Sequence, residues 1–299
     1  MLISNDFSQW LHTERYGLQK ELSSITDLEV WHSSGNIHSI LKNIRFVPDF
    51  ILIYLYGSIN CPKISGLETL KLPFGVYVED VHSLDKFNYH VTVNNIKHIF
   101  NCYRDAFIRV HPKLVNRMIW MPHHIDLNLF KDMNQPKSIP MLMMGATKKS
   151  IYPLRHDILT SLSNHPQFVY HPHPGYRNIS NRENLFIRER YVQEVNKAKL
   201  FFTCDSIYKY PVKKYFEVLG CNTLLLASDS KELRDLGFIP GENFVAINQN
   251  DFLKKAKYYL YNKSERQRIS TNGYNMVRNK HSTQIRAKEL TIAIKRIIT

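Results

Sequence analysis

The sequence predicts an α/β protein of two domains, each a largely parallel sheet with helices on both faces. Three observations predict it. Short β-rich runs alternate with helical patterns along the chain, as they do when a parallel sheet is covered on both sides. A polar stretch with two prolines, DMNQPKSIP at 132–140, interrupts that alternation near the middle. A chain of 299 residues is long enough for two ordinary domains.

In the first half the candidate strands are 28–32, 50–55, 75–78, 90–93, 99–100 and 118–121, with helices expected at 37–45 and 105–111. After the break, PMLMMGATKKSIYPLRHDIL (140–159) reads strand, glycine turn, helix, with Pro153 at a first-turn position and Leu154, Ile158, Leu159 and Leu162 forming a helical apolar stripe. Further strands are expected at 141–144, 168–170, 200–203, 223–227 and 244–247. The domains are therefore placed at 1–136 and 137–280. The last segment, 281–299, carries Leu290, Ile294, Ile297 and Ile298 on one face and reads as an amphipathic helix that packs back on the first domain.

Apolar residues make up 43% and charged residues 22%, so the chain can bury a core without extra staples. Its four cysteines form no C-x-x-C pair and are expected as thiols in a reducing cytoplasm. The opening MLISNDFSQWLHTERY has polar and acidic residues where a signal peptide needs an apolar run, and the longest strongly apolar stretch, 50–56, is too short to cross a bilayer. A cytoplasmic protein is expected. The net charge of +14 favours anionic partners, among them nucleotides, acidic glycans and, as a peripheral contact, an anionic membrane surface. A Lys- and Asn-rich composition raises the charge by itself, and with no basic arm or tail no specific nucleic-acid partner is expected.

The residue that most needs explaining is Glu217, in KYPVKKYFEVLGCNTLLLAS (209–228). It sits in an apolar helix-like run, three residues after Lys214 and just before a buried-looking strand, where a carboxylate is costly unless bound. An α/β sheet takes its ligands beyond the carboxyl ends of its strands. Residues 206–214, with Tyr210, Lys213 and Lys214, fall in that crevice if 200–203 is a strand. The lysines can meet phosphates, and Glu217 can accept hydrogen bonds from adjacent ribose hydroxyls. The alternative is a surface glutamate paired with a lysine at helical spacing.

A second cluster is GVYVEDVHS (75–83), a β-run ending in Glu79, Asp80 and His82. Carboxylate and imidazole groups at the end of a parallel strand stand where a proton can be taken from a hydroxyl. Asp80 is favoured as base, with His82 as its polar partner; a strand-end turn with solvated charges is the alternative. The histidine-rich segments YHPHPGY (170–176) and PHHID (122–126) have poor spacing for a closed zinc site and no accompanying cysteine, so no metal is assigned. No GxxxxGK[ST], G-x-G-x-x-G, G-x-S-x-G or D-x-D motif is present. This argues against a P-loop NTPase, a dinucleotide dehydrogenase, an α/β-hydrolase and a carboxylate-pair metal site.

The second half resembles the nucleotide-sugar domain of GT-B fold glycosyltransferases, and among them the CgeB-like and group 1 bacterial families. The matching residues are Gly145 with Tyr152-Pro153-Leu154-Arg155, Lys214-x-Phe216-Glu217 with Gly220, Glu232-Leu233, Gly241-Glu242-Asn243, and His281-Ser282-Thr283 with Arg286. The ordered set covers about 140 residues; in the first half only MPHHIDLNLF (121–130) matches. The resemblance implies two Rossmann-like domains facing a central cleft. It implies transfer of a sugar from a nucleotide diphosphate sugar, UDP-sugar favoured, to a hydroxyl acceptor such as a cell-surface or spore glycan or a glycoconjugate. It places Glu217 on the donor ribose, Lys214 near the diphosphate, and the Gly145 loop opening toward the phosphates. Arg155, at a helix-start position facing the same crevice, is expected at the diphosphate with Lys214, and Lys213 beside them. His171 and Tyr176 are then expected beside the base, and Tyr210 in the donor crevice. No cofactor beyond the donor and no metal is implied. Lys209 stands eight residues before Glu217, where many retaining members carry a second glutamate, so the stereochemistry stays open. The runner-up is a catalytically silent nucleotide-sugar or glycan-binding protein on the same scaffold.

Overall fold

The computed structural model describes residues 1–8, 13–83, 86–175 and 185–299. It divides into two compact units, one of Met1–Ser8, Arg15–Pro122 and Gln284–Thr299, the other of Gln9–Glu14 and His123–Thr283. No helix among the described residues is long and apolar enough to cross a membrane.

The first unit is built on a six-stranded parallel sheet. Its spatial order is Val30–Trp31, Leu2–Ile3, Ile51–Tyr54, Phe74–Val78, His98–Asn101 and Met118–Trp120. The central runs ILIY and FGVYV are buried at every position, the unbroken apolar pattern of a strand covered on both faces. The strand Leu2–Ile3 was not anticipated, because two residues are too few to show a period. The strand expected at 28–32 shrinks to Val30–Trp31, half-buried at the sheet edge. The strand expected at 90–93 is instead part of the helix Phe87–Val93. Its β-branched residues suggested a strand, but Phe87 and Val91, four apart, are the two that are buried, which is a helical spacing. The helix Thr283–Ile298 gives residues 284–299 to this unit, as expected. Ala287 and Leu290 are buried, and Gln284 Nε2 donates to Glu21 Oε1 at 2.8 Å.

The second unit holds a five-stranded parallel sheet in the order Phe168–His171, Ile139–Met144, Ala198–Phe202, Leu224–Ala227 and Val245–Ala246. In chain order these are the second, first, third, fourth and fifth strands. The direction of winding therefore reverses at the Ile139–Met144 strand, and ligands of such sheets bind beyond the carboxyl ends at that point. One face is closed by the helix Pro153–Leu162, with proline in its first turn, and by Phe252 and Ala256, which join Phe202, Leu226 and Ile269 in one core.

The helix Lys214–Gly220 is gripped through its glycine and its neighbours. A Cβ on Gly220 would come within 2.5 Å of Ile125 Cδ1, and one on Gly273, in the helix Lys263–Lys280, within 2.7 Å of Leu219 Cδ2. Ile125 is itself tied to the chain at 281–283: its N–H donates to the His281 carbonyl at 2.9 Å and its carbonyl accepts from Thr283 N at 2.9 Å. The two segments PHHID and HST, 155 residues apart, thus meet behind the site helix.

Candidate functional site

Separate segments of the second unit converge on one pocket at the carboxyl rim of its sheet, with Glu14, Leu129 and Phe130 among the residues that line it. The strand Ile139–Met144 runs into Gly145, the strand Phe168–His171 into Pro172, His173 and Pro174, the helix Arg188–Asn196 supplies Tyr191, and the helix Lys214–Gly220 supplies Lys214 and Glu217. Gly145 has φ of 127°, open to glycine, and a Cβ there would lie 2.8 Å from Lys214 Cε. The glycine loop and the lysine stem therefore share one space.

Glu217 is only 9% exposed, which rules out a solvated surface glutamate. Tyr191 Oη donates to its Oε2 at 3.0 Å. Burial pushes the carboxyl up from its ordinary value; Lys214, Lys213 and the Tyr191 hydroxyl pull it back down, while Glu14 pushes it further up. Burial also lowers the Lys214 ammonium, which Glu217 opposes and Arg155 reinforces. His173 is lowered to about 4, first by burial and then by Lys214 and Arg155, so it is neutral at physiological pH. Its Nδ1 lies 2.9 Å from Gly175 N–H and accepts from it, which leaves the ring proton on Nε2. The pocket thus offers a buried carboxylate, a desolvated ammonium and a neutral imidazole side by side.

Other anticipated residues are placed differently. The Arg155 guanidinium is buried over the Tyr152 ring, and its Nη2 and Nη1 donate to the carbonyls of Cys204 (2.9 Å) and Ala146 (3.3 Å). It staples together the loops that follow the first and third strands, and its charge reaches the pocket from behind Gly145. His171 is held by Glu194 at 3.0 Å and lies against the Phe186 ring, while His173, two residues on, lines the pocket. Lys213 pairs with Glu14. Tyr210 is buried beside the Tyr208 ring. Tyr176 lies outside the described residues. Lys209, at the position eight before Glu217, is exposed, with Nζ 3.5 Å from Asp205. Tyr191, which reasoning from sequence missed, sits in the polar helix RERYVQEVN and carries no motif; only its approach to Glu217 reveals it.

In the first unit Glu79, Asp80 and His82 follow the strand Phe74–Val78 at its carboxyl end, as expected. Glu79 is held by Arg15 Nη2 at 2.8 Å, with both side chains largely buried, and its carbonyl accepts from Asn101 Nδ2 at 3.1 Å. Asp80 and His82 are exposed. Among the described residues, no group of three or more His, Cys, Asp or Glu is placed to hold a metal ion.

Residues 155–291 match the family model described as Glycosyl transferase-like. No curated protein matches the sequence. Among solved structures, Anabaena HepE in complex with UDP-glucose is similar over 99% of this chain and 98% of its own, at 11% identity and a TM-score of 0.63. Sucrose-phosphate synthase from Thermosynechococcus elongatus is similar over 87% and 76%, at 13% identity and 0.61. A glycosyltransferase from Rickettsia africae is similar over 94% and 88%, at 9% identity and 0.60. At such identities the likeness is one of fold. The second half is thus similar to the glycosyl transferase-like family model, and the chain has the GT-B fold, with two Rossmann-like domains.

Proposed function

We propose that this protein is a metal-independent glycosyltransferase that moves a sugar from a UDP-sugar to a hydroxyl acceptor on a glycan or glycoconjugate, in the cytoplasm. The observation that carries this reading is the convergence of buried Glu217, Lys214 and the Gly145 loop on one pocket at the reversal point of the second sheet. A buried carboxylate beside a desolvated ammonium is costly in an empty pocket, and a nucleotide answers both groups at once. The ribose hydroxyls donate to Glu217, and the diphosphate takes the Lys214 charge, backed by Lys213 and Arg155. The choice of UDP draws on Anabaena HepE solved with UDP-glucose and on the pneumococcal O-GlcNAc transferase GtfA solved with UDP and GlcNAc. Asp80 takes the acceptor proton, and His82 orients the acceptor. The cytoplasmic setting accords with four free thiols.

The test is a thermal-shift screen of UDP-, GDP-, dTDP- and ADP-sugars. A ligand at a hundred times its Kd stabilises the folded state by about 2.7 kcal/mol. A rise in Tm of about 5–10 °C is expected with UDP-sugars, unchanged by EDTA. Turnover of the same donor should also survive EDTA. No shift with any donor sinks the reading, and a shift or turnover that EDTA abolishes and manganese restores sinks its metal independence. A silent binding protein on this scaffold would give the shift without turnover.

A further inference from the structure

Resting on that reading of the pocket, we infer that Tyr191 is its positioning residue, holding Glu217 and Lys214 apart so that each stays available to the nucleotide. Lys214 and Glu217 stand three residues apart on one helix, a spacing at which opposite charges normally close on each other. Here they form no ion pair, although both are desolvated and attraction between them is strong. Tyr191 accounts for this from both sides. Its hydroxyl is the hydrogen-bond donor to Glu217 Oε2 at 3.0 Å, which leaves Oε1 for the ligand, and its ring faces Lys214 Nζ at 5.2 Å from the centroid, within cation–π range. The ring is set by the edge of Phe130, 6.4 Å away at 75°.

Without the hydroxyl, the carboxylate is free to turn onto Lys214 of its own helix or Lys213 at the cap, and a ribose must pull it back to bind, whereas an ammonium with three N–H donors still has some for the diphosphate. The charged and titratable groups around Glu217 are Lys213 and Lys214 on its own helix, Cys221 just beyond it, Glu14, and Tyr191; Arg155 and His173 act on Lys214 from other elements. Among them Tyr191 is the neutral donor, and its hydroxyl lowers the carboxyl.

The experiment is calorimetry of UDP and 2′,3′-dideoxy-UDP with the wild-type protein and Tyr191→Phe, which keeps the ring against Phe130. Wild type should prefer UDP. Tyr191→Phe should bind UDP about tenfold more weakly, the size of a lost hydrogen bond to a charged group. It should bind the dideoxy ligand with little change. If wild type binds both ligands alike, the ribose reading of Glu217 fails. If wild type discriminates and Tyr191→Phe does so equally, that reading stands and the role of Tyr191 is refuted. A uniform loss for both ligands also refutes it, because it marks a packing defect.

Discussion

Glu217→Ala should weaken UDP-sugar binding by about 1–3 kcal/mol, roughly ten- to a hundredfold, while the protein stays folded. The carboxylate is buried in the middle of an apolar helix, and in the free protein its cost is offset by Tyr191 and by the nearby lysine charges. A ribose supplies what is missing, two hydroxyl donors on adjacent carbons. The loss should therefore be large for nucleotides and absent for a free nucleobase. Calorimetry on a variant with an unchanged circular dichroism spectrum decides the matter: unaltered nucleotide affinity would remove Glu217 from the site.

A still larger effect is expected at Asp80, in turnover. A sugar hydroxyl is a weak nucleophile, and a positioned base contributes about a hundredfold to ten-thousandfold. Asp80→Asn keeps the size and hydrogen-bonding reach of the side chain but cannot take a proton, so turnover should fall by that order. Donor affinity should hardly change, because the residues proposed to bind the donor all belong to the second unit and Asp80 to the first. Its neighbour Glu79 is held by Arg15, both side chains largely buried, whereas Asp80 is exposed. His82→Ala should cost less. Steady-state rates for the two variants test the assignment: near-normal turnover for Asp80→Asn with inactive His82→Ala would exchange the roles, and normal rates for both would send the search to the loop of residues 123–126.

The features of this fold that announce themselves in sequence are those that break a local rule. Glu217 was legible because a carboxylate interrupts an apolar run, Gly145 because a glycine follows a strand and opens a helix, and the central strands because ILIY and FGVYV have no polar face. What stayed hidden is set by distance in the chain. Tyr191 is an ordinary tyrosine in a polar helix, and nothing local shows that its hydroxyl reaches a residue 26 positions on. Arg155 was expected near the diphosphate because a basic group opens a helix; that it also bridges two loops through their carbonyls could not be read from the sequence. His171 and His173 are indistinguishable as letters, yet one turns to Glu194 and the other lines the pocket. The segment 87–93 misled because β-branched residues outweighed the spacing of Phe87 and Val91.

Among the described residues every strand pairing in both units is parallel. No strand can therefore meet its partner through a tight hairpin; each pairing must first close a long crossover and bear its entropy. Chains of this kind fold slowly, since non-local contacts come late. The pocket draws on Glu14 and on segments from Leu129 to Glu217, and it exists only when the crossovers between them are complete. A nucleotide then has nothing to bind in the transition state for folding. It should leave the refolding rate as it is and act wholly by slowing unfolding, so that the substrate protects the native protein kinetically without guiding its assembly.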